Sequence, residues 1–486
     1  MKKNDVLFLL SAITFSVLFY KQDPGLNFLL FTAMISGLLL VFNPEKLHDK
    51  HWWYYAALAL ISATMIVCIN SALSIFACIC CIILLCGKTI NRDNSVFIAF
   101  IFSVFSILSS LIYWIIDLAS KHEEVDSSEK RKTRRKIIGV LIAFMIALLF
   151  FCLYREANPL FKDLTNYINL DWLSFAWIMF TFWGFLMIYG LIKNRRIPIL
   201  ASLDALALQN ISNKKPEAEN TPLKYSSVIA LSLFVILNVM LLLINILDIN
   251  SIFITQTLPK GITLSSFVHQ AVWSTVVSII IASSLIMWFF KDELNFNLYG
   301  KKVKFFVYAW IIQSIIMVVS TMIRNSWYIQ EYQLTYLRIG VYTFLILSLI
   351  GLIHTFLKVA YRKSAWNLVT RNFETWFLLL ALSSCVNWDR LITNYNISHT
   401  TDVKRLDKEY ITRLSDANIP EMVDLYHLKD STITIKNEWD NYYWLEQKLV
   451  SVTEKLKNST WQSYNLRDEE NREALRSIKL KKYEKR

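Results

Sequence analysis

The stretch RNSWYIQEYQLTYLRIG, Arg324 to Gly340, sets Arg324, Glu331 and Arg338 seven residues apart, with Tyr328 and Thr335 between them. On a single helix these five residues share one stripe. Guanidinium groups bind phosphate oxygens and a carboxylate can move a proton, so the pattern suits an anion-holding or proton-exchanging surface. Other stretches offer related groups. LYREANPLF carries Arg155 and Asn158 where the chain leaves the helical region ahead of Pro159. LSSFVHQAVW supplies His269 and Gln270, and CVNWDRLITNYN supplies Asp389 beside Trp388, a placement that could bring the carboxylate toward Arg324 or Arg338. LNVMLLLINILD places Asn238 and Asn245 seven apart in an apolar run, where helix-to-helix hydrogen bonding is the expected use of an amide. Neither a metal nor a cofactor is implied: no histidine has a second ligand at metal spacing, and no phosphate-binding loop, zinc motif or dinucleotide fingerprint is present.

These residues sit in an apolar chain. Of 486 residues 55% are hydrophobic and 18% charged, and the mean hydropathy is +0.39. Apolar stretches near the length of a bilayer crossing recur from Val6 to Val386. The fold expected is therefore all-α, a polytopic membrane protein of about twelve transmembrane helices. The first stretch is followed by no small-residue cleavage site and reads as a retained span. All seven cysteines lie in or beside apolar segments, where the residue serves as compact filler.

The net charge of +13 is a topology signal, not a nucleic-acid footprint. Residues 387–486 hold 18 Lys and Arg against 17 Asp and Glu, which leaves 33 against 21 among the apolar segments. From residue 117 onward, the loops 117–136, 192–225, 291–304 and 358–372 carry 7, 6, 4 and 4 basic residues, whereas 155–171, 248–270 and 324–338 carry 2, 1 and 2. Positive loops stay in the cytoplasm, which sends the carboxyl-terminal region outward and collects Arg155, Asn158, His269, Gln270, Arg324, Tyr328, Glu331, Arg338 and Asp389 at the outer membrane boundary. Ionisable groups there are costly unless paired or hydrated, so a shared polar cluster is expected. The first quarter opposes this count. Five spans before the loop at 117 would put the amino terminus outside, whereas Lys2, Lys3, Lys46, Lys50, Lys88 and Arg92 favour the reverse; either one early stretch does not span or the later signals override.

Four regions follow: amino-terminal membrane helices over 1–116, a basic cytoplasmic linker over 117–136, a main membrane bundle over 137–388 with the loop 193–225 between sub-bundles, and a polar helical carboxyl-terminal region over 389–486. The polybasic end of the linker, 130–136, is expected to meet anionic lipid headgroups. In the tail, SDANIPEMVDLYHL starts with a Ser or Asp cap, and Trp439, Tyr443, Leu445, Leu449, Val452 and Leu456 fall near one helix face.

The stretches LYREANPLF, GITLSSFVHQAVW, RNSWYIQEYQLTYLRIGV and VNWDRLITNYN together resemble a bacterial multi-pass membrane family catalogued as a domain of unknown function, numbered four-one-seven-three. The resemblance covers about residues 137–400. It implies a bacterial cytoplasmic-membrane protein and transfers no catalytic residue. Three function classes stay open: a membrane scaffold or sensor with an extracytoplasmic polar surface and a membrane or extracytoplasmic protein partner, a transporter of a small solute or lipid, and an enzyme on a lipid-linked substrate at the outer leaflet. Few glycines and no internal repeat weaken the transporter reading. With the tail outside, a tag at the carboxyl end is expected to be cut by external protease in intact spheroplasts.

Overall fold

The computed structural model describes residues 3–90, 93–120, 174–207, 221–255, 264–290, 298–400, 406–431 and 443–478, with scattered positions between 143 and 165. Within these the chain is helical, with no strand. The all-α class expected from the hydropathy pattern is therefore observed. The helices are α1 (Lys3–Phe19), α2 (Leu26–Phe42), α3 (Lys50–Cys68), α4 (Ala72–Ile90), α5 (Val96–Leu108), α6 (Ser110–Ser120), α7 (Phe175–Ile192), α8 (Pro198–Ala207), α9 (Thr221–Ile249), α10 (Leu264–Phe289), α11 (Leu298–Tyr332), α12 (Tyr336–Ala360), α13 (Ala365–Ser383), α14 (Trp388–His399), α15 (Lys408–Arg413), α16 (Ile419–Ser431), α17 (Tyr443–Lys457) and α18 (Leu466–Arg476). Asp49, Ser174 and Ser364 cap α3, α7 and α13 by accepting a first-turn backbone N–H, as short oxygen-bearing side chains do.

Among the described residues seven helices are long and apolar enough to cross a membrane, and an eighth crossing follows if α5 and α6, bent by 68° at their junction, count as one. The expected number was about twelve. At 17 residues α1 and α2 are shorter than those seven. The expected span at 137–154 lies largely outside the described residues, and that at 373–387 falls on α13, which carries Arg371 and Glu374 and is not among the seven.

The chain forms two compact units. The first comprises residues 1–94, 98–197 and 454–469. Its α1 runs antiparallel to α7: Phe8 meets Tyr189 at 5.4 Å between ring centroids, Phe15 stacks on Phe180 at 5.1 Å, and Tyr20 shares a 3.1 Å hydrogen bond with Ser174. In α4, Cys78, Cys80, Cys81 and Cys86 are buried as free thiols beside Ala77. Cys81 lies 3.2 Å from Ser62 of α3, so these four act as the small filler expected, whereas Cys385 is exposed and Cys152 lies outside the described residues.

The second unit comprises residues 95–97, 198–453 and 470–486. Here α9 and α11 run parallel, with α10 returning between them, around a core containing Phe234, Ile286, Val307, Trp310 and Leu352. With no water in a bilayer core, a side-chain amide must pair inside the protein. The Asn238 amide donates to the Phe306 carbonyl at 2.9 Å and its oxygen accepts from Gln313 Nε2 at 2.7 Å. Two turns on, Asn245 donates to the Gln313 carbonyl at 3.0 Å. The seven-residue interval between the asparagines thus matches that between Phe306 and Gln313, and it fixes the register of the pair. Buried Lys358 of α12 donates to the Phe290 carbonyl just beyond the end of α10 at 3.2 Å, a cation at a helix carboxyl terminus.

In the tail, Leu445, Leu449, Val452 and Leu456 of α17 are buried as the periodicity predicts, while Trp439 lies outside the described residues. Ser415 caps a 3-10 turn over Asp416–Asn418 that leads into α16. Replacing Asn238 with leucine removes the interhelical bonds to Phe306 and Gln313 and is expected to cost about 1 kcal/mol, read as a lowered midpoint of thermal unfolding in detergent.

Candidate polar site at the ends of α9 to α12

The polar residues of the second unit gather where α9 ends, α10 begins, α11 ends and α12 begins. Asp248 closes α9, and its carboxylate pairs with Arg324 on α11; both are largely buried. The Arg324 guanidinium carbon also stands 4.2 Å from the ring centroid of Phe267 on the first turn of α10, a cation–π contact that covers the other side of the charge. One turn along α11, Tyr328 lies edge-on to His269 at 6.2 Å and beneath the guanidinium of Arg338 at 4.2 Å. Arg338 comes from α12. Its Nη1 donates to the carbonyls of Tyr332 and Gln333, which closes the exposed carboxyl end of α11.

The single stripe expected over Arg324 to Arg338 is therefore corrected. Helix α11 stops at Tyr332, and Gln333 takes the left-handed region with φ 71°, so Thr335 and Arg338 lie on the far side of a turn. The reason is tertiary. Gln333 lacks the freedom of glycine, and a left-handed side-chain-bearing residue costs about 1–2 kcal/mol. The following contacts offset it: Leu334 donates its N–H to Asn396 Oδ1 at 2.7 Å and accepts from Asn396 Nδ2 at 2.9 Å, while its side chain packs with Ile392 and Leu414. Arg324 and Arg338 still face one neighbourhood through Tyr328 and Asn325, whose Nδ2 donates to the Arg338 carbonyl at 3.1 Å.

Asp389 is buried in the first turn of α14 and does not pair with an arginine in this structure. Its Oδ1 accepts from the Tyr336 hydroxyl at 2.8 Å and its Oδ2 from Ser415 at 2.5 Å. Tyr336 in turn donates its backbone N–H to the Tyr410 hydroxyl at 2.7 Å. Burial raises the pKa of the Tyr410 phenol, so it stays protonated through the neutral range. Next to Asp389, Arg390 bonds Glu421 and Glu470; burial works against its charge, and the two carboxylates more than offset that.

Of the other sequence candidates, Gln270 donates to Ser266 at 3.1 Å and is exposed, and Glu331 is exposed on the last turn of α11. Arg155 belongs to the first unit, and Asn158 lies outside the described residues. Asp248, Phe267, Tyr336, Asn396 and Ser415 were not anticipated. Asp248 had a signal, being the one acid at the end of a long apolar run, whereas Asn396 and Ser415 lie in polar sequence where nothing marks a buried partner.

Chemically, the arrangement neutralises and covers charge. Arg324 is only 7% exposed and is taken by Asp248, and Arg338 is occupied with the end of a helix, so neither presents an open guanidinium fork to a phosphate. No group of three or more His, Cys, Asp or Glu among the described residues could hold a metal ion.

A family model for a Domain of unknown function (DUF4153) matches residues 55–425, which takes in α4 to α15 and all of this site. The chain belongs to the DUF4153 family. It is a domain of unknown function, as the resemblance implied, under the number 4153 where the motifs pointed to four-one-seven-three. No curated protein and no solved structure matches the chain. The apolar helices within the DUF4153 match agree with a membrane protein.

Replacing Asp248 with asparagine leaves the Arg324 charge buried without its carboxylate and is expected to cost about 3 kcal/mol in stability. Joint replacement by Asp248→Leu and Arg324→Met should recover most of that loss, which thermal unfolding of the detergent-purified protein would read.

Proposed function

We propose that this protein is a membrane scaffold or sensor of the bacterial cytoplasmic membrane, which presents its helical carboxyl-terminal region on the extracytoplasmic side to a protein partner. The observation that carries this reading is where the polar residues point. Tyr336 to Asp389, Leu334 to Asn396, and Gln333 to Thr400 and Asp407 all join the α11–α12 turn to the segment from α14 to α15. These bonds hold one helical layer against the bundle, and Arg324, Arg338 and Asp389 are each engaged within the protein, while Glu331 stays exposed on the last turn of α11. The excess of positive charge in the loops after 117, 192, 291 and 358 supports an outward-facing tail.

The test is stoichiometric co-purification from native membranes of the full chain and of its Asn396→Ala variant, which releases both hydrogen bonds at Leu334. A partner protein held by the parent chain and lost from the folded variant is the expected result. Solute flux in reconstituted vesicles that falls on Glu331→Gln, with no protein retained, would overturn the scaffold reading in favour of a transporter.

A further inference from the structure

In the first unit the bent pair α5–α6 is fastened at both halves to the same end of α7. In α5, Ser103 accepts from Asn194 Nδ2 at 2.6 Å, and Ser106 donates to Asn194 Oδ1 at 2.7 Å and accepts the Arg195 backbone N–H at 2.8 Å. At the far side of the bend, Asp117 of α6 pairs with Arg195 at 2.5 Å and accepts from the Tyr189 hydroxyl, while the Arg195 guanidinium covers Tyr113 at 4.3 Å. The deepest ring contacts are those of Trp114 with Phe182 and Phe185. From Phe182 to the end of α7 at Ile192 is about 15 Å of helix, half of a hydrocarbon core about 30 Å thick. The backbones also meet closely there: a Cβ on Gly190 would stand 2.7 Å from Ile107 Cα and Ser106 O, and one on Gly87, near the end of α4, 2.0 Å from Ala99 O.

The same end of the unit holds the start of α1, where Phe8 packs on Tyr189, and the end of α2, where Lys193 lies over Phe42. It also holds the paired start of α3 and end of α4, where Trp52 donates to Thr89 at 2.9 Å. Chain entry into α5 and exit from α6 therefore both occur at this end. In the loops and helix ends of α1–α4 and α7, this end collects Lys46, Lys50, Lys88, Lys193, Arg195 and Arg196, and the opposite end has Lys21. At that opposite end residues 460–467 lie against the loops after α1 and α3: Leu26 and Asn27 donate to the carbonyls of Tyr464 and Gln462 at 2.9 Å each, and Arg467 donates to the Asn70 carbonyl at 2.9 Å.

We propose that α5–α6 is a re-entrant hairpin that enters and leaves the membrane on the cytoplasmic side, with the amino terminus on that side and residues 460–467 on the other. A re-entrant segment is tolerated where its backbone is buried in protein, as at Gly87 and Gly190, while Leu108 and Ile112, 80% and 60% exposed, face outward for lipid. One fewer crossing before residue 117 removes the conflict between the early lysines and the later basic loops. The position of the tail is shared with the proposed function; the hairpin is independent of it.

Cysteines are introduced one at a time at Lys46, Ser127 and Trp461, each in the full-length chain with Cys68, Cys152 and Cys385 replaced by serine and the buried thiols of α4 kept. They are labelled with a membrane-impermeant maleimide before and after permeabilisation of intact cells, against the same chain with no introduced cysteine. Trp461→Cys is expected to label at once, and Lys46→Cys and Ser127→Cys only after permeabilisation. Asn458→Cys reports the same face should Trp461→Cys not accumulate. Labelling of Ser127→Cys from the side opposite Lys46→Cys would make α5–α6 a span and overturn the hairpin. Labelling of Trp461→Cys from the side of Lys46→Cys would overturn the placement of the tail and leave the hairpin to the other pair.

Discussion

A bilayer core offers no water to a polar group, so each amide, guanidinium or carboxylate drawn into this chain has to find its partner in the protein. That requirement organises the second unit from end to end. Asn238, Gln313 and Asn245 each make at least one bond along the α9–α11 contact, Asp248 and Arg324 pair where that contact ends, and Arg338 bonds the last carbonyls of α11. Asn245 Oδ1, Gln313 Oε1 and the Nε atoms of both arginines are buried without a hydrogen-bond partner. The hydrogen bonds are individually worth about 1 kcal/mol, too little to hold a bundle together. They are directional, however, whereas packing of Leu, Ile and Phe is tolerant of sliding. The amides therefore choose the register and the apolar core supplies most of the adhesion.

The same economy explains why the most charged stretch of the apolar half is a joint. Ending α11 at Tyr332 leaves its last carbonyls without intrahelical partners, a loss that a helix continuing to Arg338 would not have incurred. Breaking at Gln333 lets Arg338 cap the helix, turns Leu334 onto Ile392 and Leu414, and gives Asn396 a peptide unit to grip from both sides. The strained residue is placed where its neighbours over-determine it.

What the sequence made legible was what periodicity and composition encode. Apolar runs gave the helices, the seven-residue interval of Asn238 and Asn245 gave an interhelical seam, and Leu445, Leu449, Val452 and Leu456 gave the buried face of α17. Of the motif residues, Arg338, Tyr328 and His269 meet and Arg324 lies a turn away, while Asp389 bonds Tyr336 and Ser415 instead of an arginine. The pairings were not legible. Asp248 and Arg324 are 76 residues apart, and Leu334 and Asn396 are 62, so only the folded topology decides that these find each other. The break at Gln333 was equally hidden, because neither glycine nor proline marks it.

Gly25 meets Ser463 so closely that a methyl group there would press on the Ser463 carbonyl carbon and oxygen at 2.5 Å, and the next two residues are bound through their peptide groups to Tyr464 and Gln462. The turn between the first two helices is thus completed by a strand of polypeptide made more than four hundred residues later. Until residues 462–464 have been synthesised, the N–H groups of Leu26 and Asn27 lack these carbonyl partners.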